Sequence, residues 1–196
     1  MSELLDIAFI SGLIGATMRM ATPIIFATLG EILAERSGVL NLGIEGIMLM
    51  GAMTGFLVTF STGSIWTGVL AAALIGMLLG LLMAFLAVDL GLSQHVSGLG
   101  ITLFSSGLAM FIYRLYVGSP SVPPTIEPFK QIALPVLSKI PLIGPGLFTQ
   151  YSLTYFAWLL IPLMSILLYK TKLGLKIRTV GENPVVADTV GVNVAL

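Results

Sequence analysis

The chain has 196 residues, of which 57% are hydrophobic and 9% charged, and its nine acidic and nine basic side chains leave no net charge. A soluble domain carries about 25% charged residues, so this composition, with a mean hydropathy of +1.05, indicates an integral membrane protein. The balanced charge gives no reason to expect nucleic acid as a partner, and the lack of cysteine excludes thiolate metal sites, disulfides and cysteine nucleophiles.

Five apolar runs follow one another along the chain, and each is long enough to cross a bilayer core, which takes about 20 residues as a helix. The first run contains Arg19 and Pro23, which predicts a tilted or kinked helix. It is also too long, and its acidic flank has the wrong sign, for a cleavable signal peptide. The predicted spans are 7–33, 42–60, 66–88, 96–117 and 151–169.

Residues 118–150 interrupt the series of spans. They hold seven of the ten prolines, so this segment is predicted to be a loop rather than a spanning helix. Four basic residues lie within 170–178, which marks that side as cytoplasmic by the positive-inside tendency. Counting back places the loop and the N-terminus outside. Because the chain stops just after a cytoplasmic segment, we expect it to be a piece of a longer protein.

The stretch ERSGVLNLGIEG at 35–46 runs directly into the second span and brings an amide and a carboxylate with it. On a helix, a separation of four residues would place Asn41 and Glu45 on one face. Two interpretations remain open. These side chains either hydrogen-bond the backbone or a neighbouring helix, or they line or gate a polar path, as intramembrane ionisable groups usually do.

Two further polar positions carry the same pair of interpretations. Arg19 lies near the middle of the first span, where we expect it to pair with a carboxylate such as Glu45, the alternative being that it faces a translocation path. Ser97 belongs to the polar, glycine-rich entry to the fourth span, Ser93–Gly100. That entry either caps the helix and packs loosely or offers hydrogen bonds to a polar solute.

Glycine pairs four residues apart occur in the second and third spans. This spacing allows the backbones of two membrane helices to approach closely, so it predicts helix packing at Gly51, Gly55, Gly76 and Gly80.

The tail contains the signals of a short helix. Asn183 suits an N-cap, Pro184 the first helical position and Gly191 the residue after the end, which predicts a helix over 184–190. Such a helix could dock in a groove of a partner protein, or the segment could be an ordinary solvated loop. The sequence has no HExxH, G-x-S-x-G or P-loop motif, so we do not expect an enzyme.

ERSGVLNLGIEGIMLMGAM at 35–53 and GLKIRTVGENPVVADTVGVNV at 174–194 resemble the permeases of ABC importers of the nucleoside and simple-sugar type, within the branched-chain amino acid/ribose permease superfamily. HVSGLGITLFSSGLAMFIYR lies between them in the same order. The resemblance covers essentially the whole chain. It implies an all-α polytopic fold, with 1–196 forming a single permease domain of about five transmembrane helices, like that of a type II ABC importer, truncated at its C-terminus.

The resemblance also implies the partners. The chain would sit in a bacterial plasma membrane beside a second, homologous permease and would translocate a nucleoside or a related simple sugar. An extracytoplasmic substrate-binding protein would deliver the solute, and a cytoplasmic ABC ATPase would supply the energy. On this basis the chain itself binds no cofactor and no metal, and ATP is used by the partner.

The resemblance assigns roles to two groups of residues. A cytoplasmic coupling loop over 170–196 would meet the ATPase through Gly174, Arg178, Gly181, Glu182, Asn183, Pro184, Ala187 and Gly191. The candidates for lining or gating the path are Asn41, Glu45, Arg19, Ser97 and Thr102.

Two other functions compete with this one. An ion-coupled secondary transporter of a small polar solute would need carboxylates at the midplane and an inverted repeat. The sequence displays neither clearly, since Glu45 is near the inner face and Asp89 near a helix end. A subunit that only assembles with others, without transporting, would use its glycine-rich helices for packing alone.

Overall fold

The computed structural model describes residues 7–118, 120, 122–140, 143–192 and 194. The chain divides into two compact units, Met1–Gly30 with Phe129–Thr171 and Glu31–Pro128 with Lys172–Leu196, which we call the first and the second unit. The predicted outward position of the N-terminus and the last residues of the predicted coupling loop lie outside the described residues.

Five helices in the described part of the chain are long and apolar enough to cross a membrane. This confirms the predicted all-α polytopic fold, and the predicted spans differ from the helices by only a few residues at their ends. In chain order the elements are α1 (Ile7–Arg36), α2 (Ile44–Thr62), α3 (Ile65–Ala84) with a π-helical turn (Phe85–Asp89), α4 (Gln94–Val117), β1 (Gln131–Ala133), a 3₁₀ turn (Leu137–Lys139), α5 (Gly144–Phe148), β2 (Thr149–Tyr151), α6 (Ser152–Lys170), α7 (Lys172–Glu182) and α8 (Pro184–Thr189).

The second unit is built on α2, which packs against both α3 and α4. Its core holds Met50, Met53 and Leu57 of α2, Leu79 of α3 and Ala109 of α4. Many large apolar side chains elsewhere on these helices are exposed, for example Leu103, which is 75% exposed. In lipid such a surface carries no hydrophobic penalty, so packing between these helices depends on close contact rather than on exclusion from water.

Glycine provides the close contact between α2 and α3. A Cβ added at Gly55 would lie 3.3 Å from the carbonyl oxygen of Gly68, and one added at Gly51 would lie 3.7 Å from that of Ala72. A Cβ at Gly68 would meet the Thr59 side chain and would lie 2.6 Å from the carbonyl oxygen of Gly55. The two backbones therefore touch at Gly55 and Gly68.

The second glycine pair behaves differently. A Cβ at Gly76 would only reach Ile47, at 3.9 Å, and one at Gly80 would meet nothing within 4 Å. Within the described chain, the close approach predicted at Gly76 and Gly80 is therefore absent. The reason is that the α2–α3 contact is centred on Gly68, about 18 Å along α3 from Gly80 at 1.5 Å per residue.

The first unit combines α1 up to Gly30 with residues 129–171, which hold β1, α5, β2 and α6. β1 pairs antiparallel with β2, so that Gln131 opposes Tyr151 and Ala133 opposes Thr149. Polar side chains are buried between these elements: the hydroxyls of Thr22 and Thr154 are 2.9 Å apart, and the Gln150 amide donates to the carbonyl oxygens of Gly15 and Gly146. These hydrogen bonds give the two hydroxyls and the Gln150 amide nitrogen partners within the protein, which lipid could not supply.

Most of residues 170–192, which belong to the predicted coupling loop, is helical, whereas the sequence predicted a helix only over 184–190. α7 spans Lys172–Glu182 and α8 follows after one residue, Asn183. Hydropathy gave no signal for α7 because its apolar and charged residues lie on different faces of the helix and together give a low mean hydropathy. The predicted short helix at 184–190 is confirmed as α8, which is one residue shorter.

Candidate functional site

The turn between α1 and α2, residues 37–43, is a stretch of non-helical backbone between two membrane-length helices. Gly38 has a φ of +92°, a conformation that favours glycine. The Asn41 side-chain oxygen accepts a hydrogen bond from the Gly43 N–H at 2.9 Å, forming a local turn that competes with a helix. α2 therefore begins only at Ile44, and the prediction that Asn41 and Glu45 share one helical face is wrong.

Side chains from α1 and α4 hold the backbone of this turn. Glu31 Oε1 accepts from the Asn41 N–H at 2.9 Å, so Glu31 is a structural partner of the turn. Gln94 Oε1 accepts from the Leu40 N–H at 2.8 Å, while Gln94 Nε2 donates to the Gly38 carbonyl at 3.1 Å. Non-helical backbone at membrane depth is tolerated only when protein or water satisfies its polar groups, and these side chains do so.

Glycines bring the turn and α4 into backbone contact. Thr102 Oγ1 donates to the Leu42 carbonyl at 3.0 Å. A Cβ at Gly98 would lie 2.9 Å from the Leu42 N, and a Cβ at Gly46 would lie 2.6 Å from the Thr102 Cα. Since real side chains do not approach that closely, any larger residue at Gly46 or Gly98 would push α4 away from the turn.

On its other side the turn meets the end of α7. A Cβ at Gly181 would collide with the Arg36 carbonyl oxygen and would lie 3.0 Å from the Gly38 N. The backbones of α7 and of the turn are thus in direct contact, with no side chain between them. The structure brings together, in one unit, the ERSGVLNLGIEG stretch, the start of α4 and the α7–α8 pair.

α8 is capped at both ends. The Asn183 side chain accepts from the Val186 N–H at 3.1 Å, as an N-cap does. After its end, Gly191 has a φ of +79°, and its N–H donates to the Asp188 carbonyl at 2.9 Å, while the Val192 N–H donates to the Ala187 carbonyl at 3.0 Å. This pair of bonds is a Schellman motif, which ends the helix.

The two sides of α8 differ in exposure. Ala187 is fully buried, so this side of the helix rests on the protein. Val185, Val186 and Val190 are 73%, 53% and 69% exposed, which leaves an apolar surface close in sequence to the exposed polar residues Glu182, Asp188 and Thr189. Clustered exposed apolar side chains rimmed by polar ones are typical of an interaction site. We call Val185, Val186 and Val190 the α8 surface.

A cavity of about 440 Å³ lies between the end of α3, the π-helical turn and the start of α4. Its walls are mainly apolar, and the hydroxyl-bearing residues that line it are Ser93 and Ser97. Ser97, a predicted path residue, therefore lies at this cavity, whereas Thr102 is engaged with the turn.

Glu45 and Arg19 are not among the residues that line this cavity. Glu45 is exposed in the first turn of α2. In the first unit, the Arg19 guanidinium lies 6.0 Å from the centre of the Tyr151 ring, within the range of a cation–π contact. The predicted pairing of Arg19 with a carboxylate such as Glu45 would join the two units and stays a prediction.

Sequence reasoning missed the hydrogen bonds of Glu31 and Gln94 to the turn, and it missed Gly68. Glu31 and Gln94 sit next to helix ends, where polar residues are commonplace, and only the fold shows that both face the same turn. Gly68 has no glycine four residues away, so the spacing rule does not single it out. Among the described residues, no group of three or more His, Asp or Glu side chains could hold a metal ion.

The described residues thus form a polytopic all-α membrane protein in which the five membrane-length helices are followed in sequence by α7 and the capped helix α8. The chain belongs to the family described as the permease component of the branched-chain amino acid transport system, whose model matches residues 13–196. The family is one of transport permeases. No solved structure matches the chain.

Three relatives illustrate the family. A putative glucose ABC transporter permease of Haloferax volcanii is 41% identical over 95% of this chain and 56% of its own length. The guanosine ABC transporter permease of Bacillus subtilis is 36% identical, over 96% of this chain and 61% of its own. The nucleoside ABC transporter permease of Lactococcus lactis is 36% identical, over 89% and 57%. The chain thus spans less than two thirds of the length of these curated relatives.

Proposed function

We propose that this chain is part of the membrane permease subunit of an ATP-driven ABC importer, and that the solute is a nucleoside or a related simple sugar. The observation that carries the proposal is the family match over residues 13–196, together with relatives that bear guanosine, nucleoside and glucose permease names. The nucleoside class is preferred over the sugar class because two of these names specify nucleosides.

In this proposal the α8 surface docks on a cytoplasmic ABC ATPase. Its exposed valines and its caps at both ends support the role, since a short helix without caps would fray. Residues 170–196 are then cytoplasmic, the N-terminus is outside, and the membrane is the plasma membrane of a bacterium. A second homologous permease and an extracytoplasmic binding protein complete the transporter, with 1–196 acting as one permease domain.

ATP hydrolysis belongs to the partner, and the chain itself is a transport subunit without catalytic residues. Alternating access follows when closure of the ATPases moves α7 and α8. Ser97 at its cavity and Glu45 on the exposed start of α2 are the groups available for contact with a polar solute in the second unit. Arg19 is the corresponding candidate in the first unit.

The test is uptake by the whole transporter in proteoliposomes. With ATP supplied on the ATPase side, labelled guanosine should enter, and excess unlabelled nucleoside should compete better than excess glucose. Uptake that persists without ATP but collapses with a proton ionophore would instead indicate an ion-coupled secondary transporter. Competition by glucose but not by nucleosides would indicate that the solute is a sugar.

The docking surface has its own test. Val186→Asp places a carboxylate where an apolar interface should form. The substitution should reduce co-purification of the ATPase at least about tenfold, because an unpaired charge in an interface costs several kcal/mol. Val122→Asp is the matched control, since Val122 is 78% exposed in the proline-rich segment predicted to be outside. Equal loss with both variants, or no loss with Val186→Asp, would contradict the docking assignment.

A further inference from the structure

The side-chain amide of Gln94 makes hydrogen bonds to two different peptide groups of the α1–α2 turn. Its oxygen accepts from the Leu40 N–H at 2.8 Å and its nitrogen donates to the Gly38 carbonyl at 3.1 Å. Gln94 is also the first residue of α4. An amide that uses both its donor and its acceptor on one turn fixes that turn in orientation as well as in distance.

The contacts on either side of this amide are made by backbone. On the α7 side, Gly181 lies directly against Arg36 and Gly38. On the α4 side, Gly98 lies against Leu42 and Gly43. Packed backbone has little compressibility, so a displacement at one of these contacts is passed on rather than absorbed by side-chain rotamers.

The start of α4 leads to the cavity. Ser97 lies one helical turn from Gln94, and Gly100 and Phe104 continue the same wall. A displacement that moves the first turns of α4 therefore changes the shape of this cavity. The order of contacts is α7, then the turn, then Gln94 and α4, then the cavity wall, and all of them belong to the second unit.

We propose that Gln94 is a positioning residue that makes the α1–α2 turn and the start of α4 move as one body with α7, so that a movement of α8 reaches the cavity. This inference rests on the proposed function, because it assigns a route to the movement that a docked ATPase would drive. It assigns Gln94 no contact with the solute.

The first arm of the test measures the hydrogen bonds between Gln94 and the α1–α2 turn, and it does not depend on transport. Amide hydrogen exchange is followed in the intact membrane protein for the peptide that covers the α1–α2 turn, in the parent protein, Gln94→Leu and His95→Ala. His95 is the exposed neighbour of Gln94 and serves as the matched control. Gln94→Leu should accelerate exchange at Leu40 at least about tenfold, the effect of losing hydrogen bonds to the turn, while His95→Ala should not. Unchanged exchange in Gln94→Leu would overturn the proposal.

The second arm measures uptake and ATP hydrolysis in the same proteoliposomes. Gln94→Leu should keep its ATP hydrolysis but lose about tenfold in solute transported per ATP, and Gln94→Glu, which keeps an acceptor for Leu40, should fall in between. Parallel loss of both activities, with less assembled complex, would mean that Gln94 only stabilises the fold and would overturn the proposal. Normal uptake in Gln94→Leu would overturn it as well. A parent transporter without ATP-driven uptake would refute the proposed function. The hydrogen-exchange experiment would still decide whether Gln94 holds the α1–α2 turn.

Discussion

Gly181→Ala is the substitution that addresses the contact between α7 and the α1–α2 turn most directly. An added Cβ would lie 2.9 Å from the Arg36 carbonyl carbon and 3.0 Å from the Gly38 N, closer than ordinary contact, and still closer to the Arg36 oxygen. Backbone cannot swing aside as a flexible side chain can, so α7 must move away by roughly 0.5–1 Å, at an overpacking cost of about 1–3 kcal/mol.

The fold should survive this change. Alanine is favoured over glycine inside a helix by about 1 kcal/mol, which offsets part of the cost. The expected result is a transporter that assembles and hydrolyses ATP but moves about tenfold less solute per ATP, corresponding to about 1.4 kcal/mol of lost coupling. Uptake and ATP hydrolysis are measured in the same proteoliposomes, so that their ratio does not depend on the amount of protein incorporated.

The matched control for this experiment is Gly107→Ala in α4, where an added Cβ meets nothing within 4 Å. It should leave the ratio of uptake to ATP hydrolysis unchanged. A normal ratio in Gly181→Ala would refute the reasoning, because a contact this close could not be disturbed without effect if it carried the coupling. An equal fall in Gly107→Ala would show that the effect is not specific to this contact.

The remaining predictions concern packing and capping. Gly68→Ala should lower the melting temperature of the purified protein by several degrees, because the added Cβ has no room against α2. Gly80→Ala is the control and should be neutral or stabilising, so equal melting temperatures in the two variants would contradict the packing described for α2 and α3. Asn183→Ala removes the cap of α8 and should weaken ATPase binding several-fold, a loss of about 1 kcal/mol, while Asn183→Asp should retain binding in a titration. Thr22→Val should cost about 1–3 kcal/mol because it strands the Thr154 hydroxyl. Thr154→Val should cost less, since the Thr22 hydroxyl still donates to the Met18 carbonyl at 2.8 Å, and equal costs in denaturant unfolding would contradict this arrangement of hydrogen bonds.

The spanning helices could be predicted from the sequence because hydropathy reports what lipid requires of a helix, namely an apolar surface of a given length. The short helix α8 could be predicted for a different reason. Asn183, Pro184 and Gly191 are local signals, and each acts on the backbone within a few residues of itself. Neither kind of inference depends on knowing which elements are neighbours in space.

The contacts of the candidate site do depend on that knowledge. Gln94 lies 54 positions from Leu40 and Thr102 lies 60 from Leu42 in the sequence, and no local rule connects them. α7 was missed because it is an amphipathic helix with two interior glycines, a composition that hydropathy and propensity both read as loop. Its stability comes from packing, since Gly174 is buried and Gly181 rests on the turn.

The polarity of the ERSGVLNLGIEG stretch follows from the same physical requirement. The chain passes from one apolar helix to the next through residues that are not helical, so their N–H and carbonyl groups need hydrogen-bond partners nearby. Asn41 serves this purpose within the turn, and Glu31 serves it from α1. These polar groups are therefore explained by the fold without any solute. Glu45 is different, because it is exposed and no hydrogen bond joins its side chain to another described residue. Of the two side chains that the sequence singled out, Glu45 is thus the one left available to gate a path.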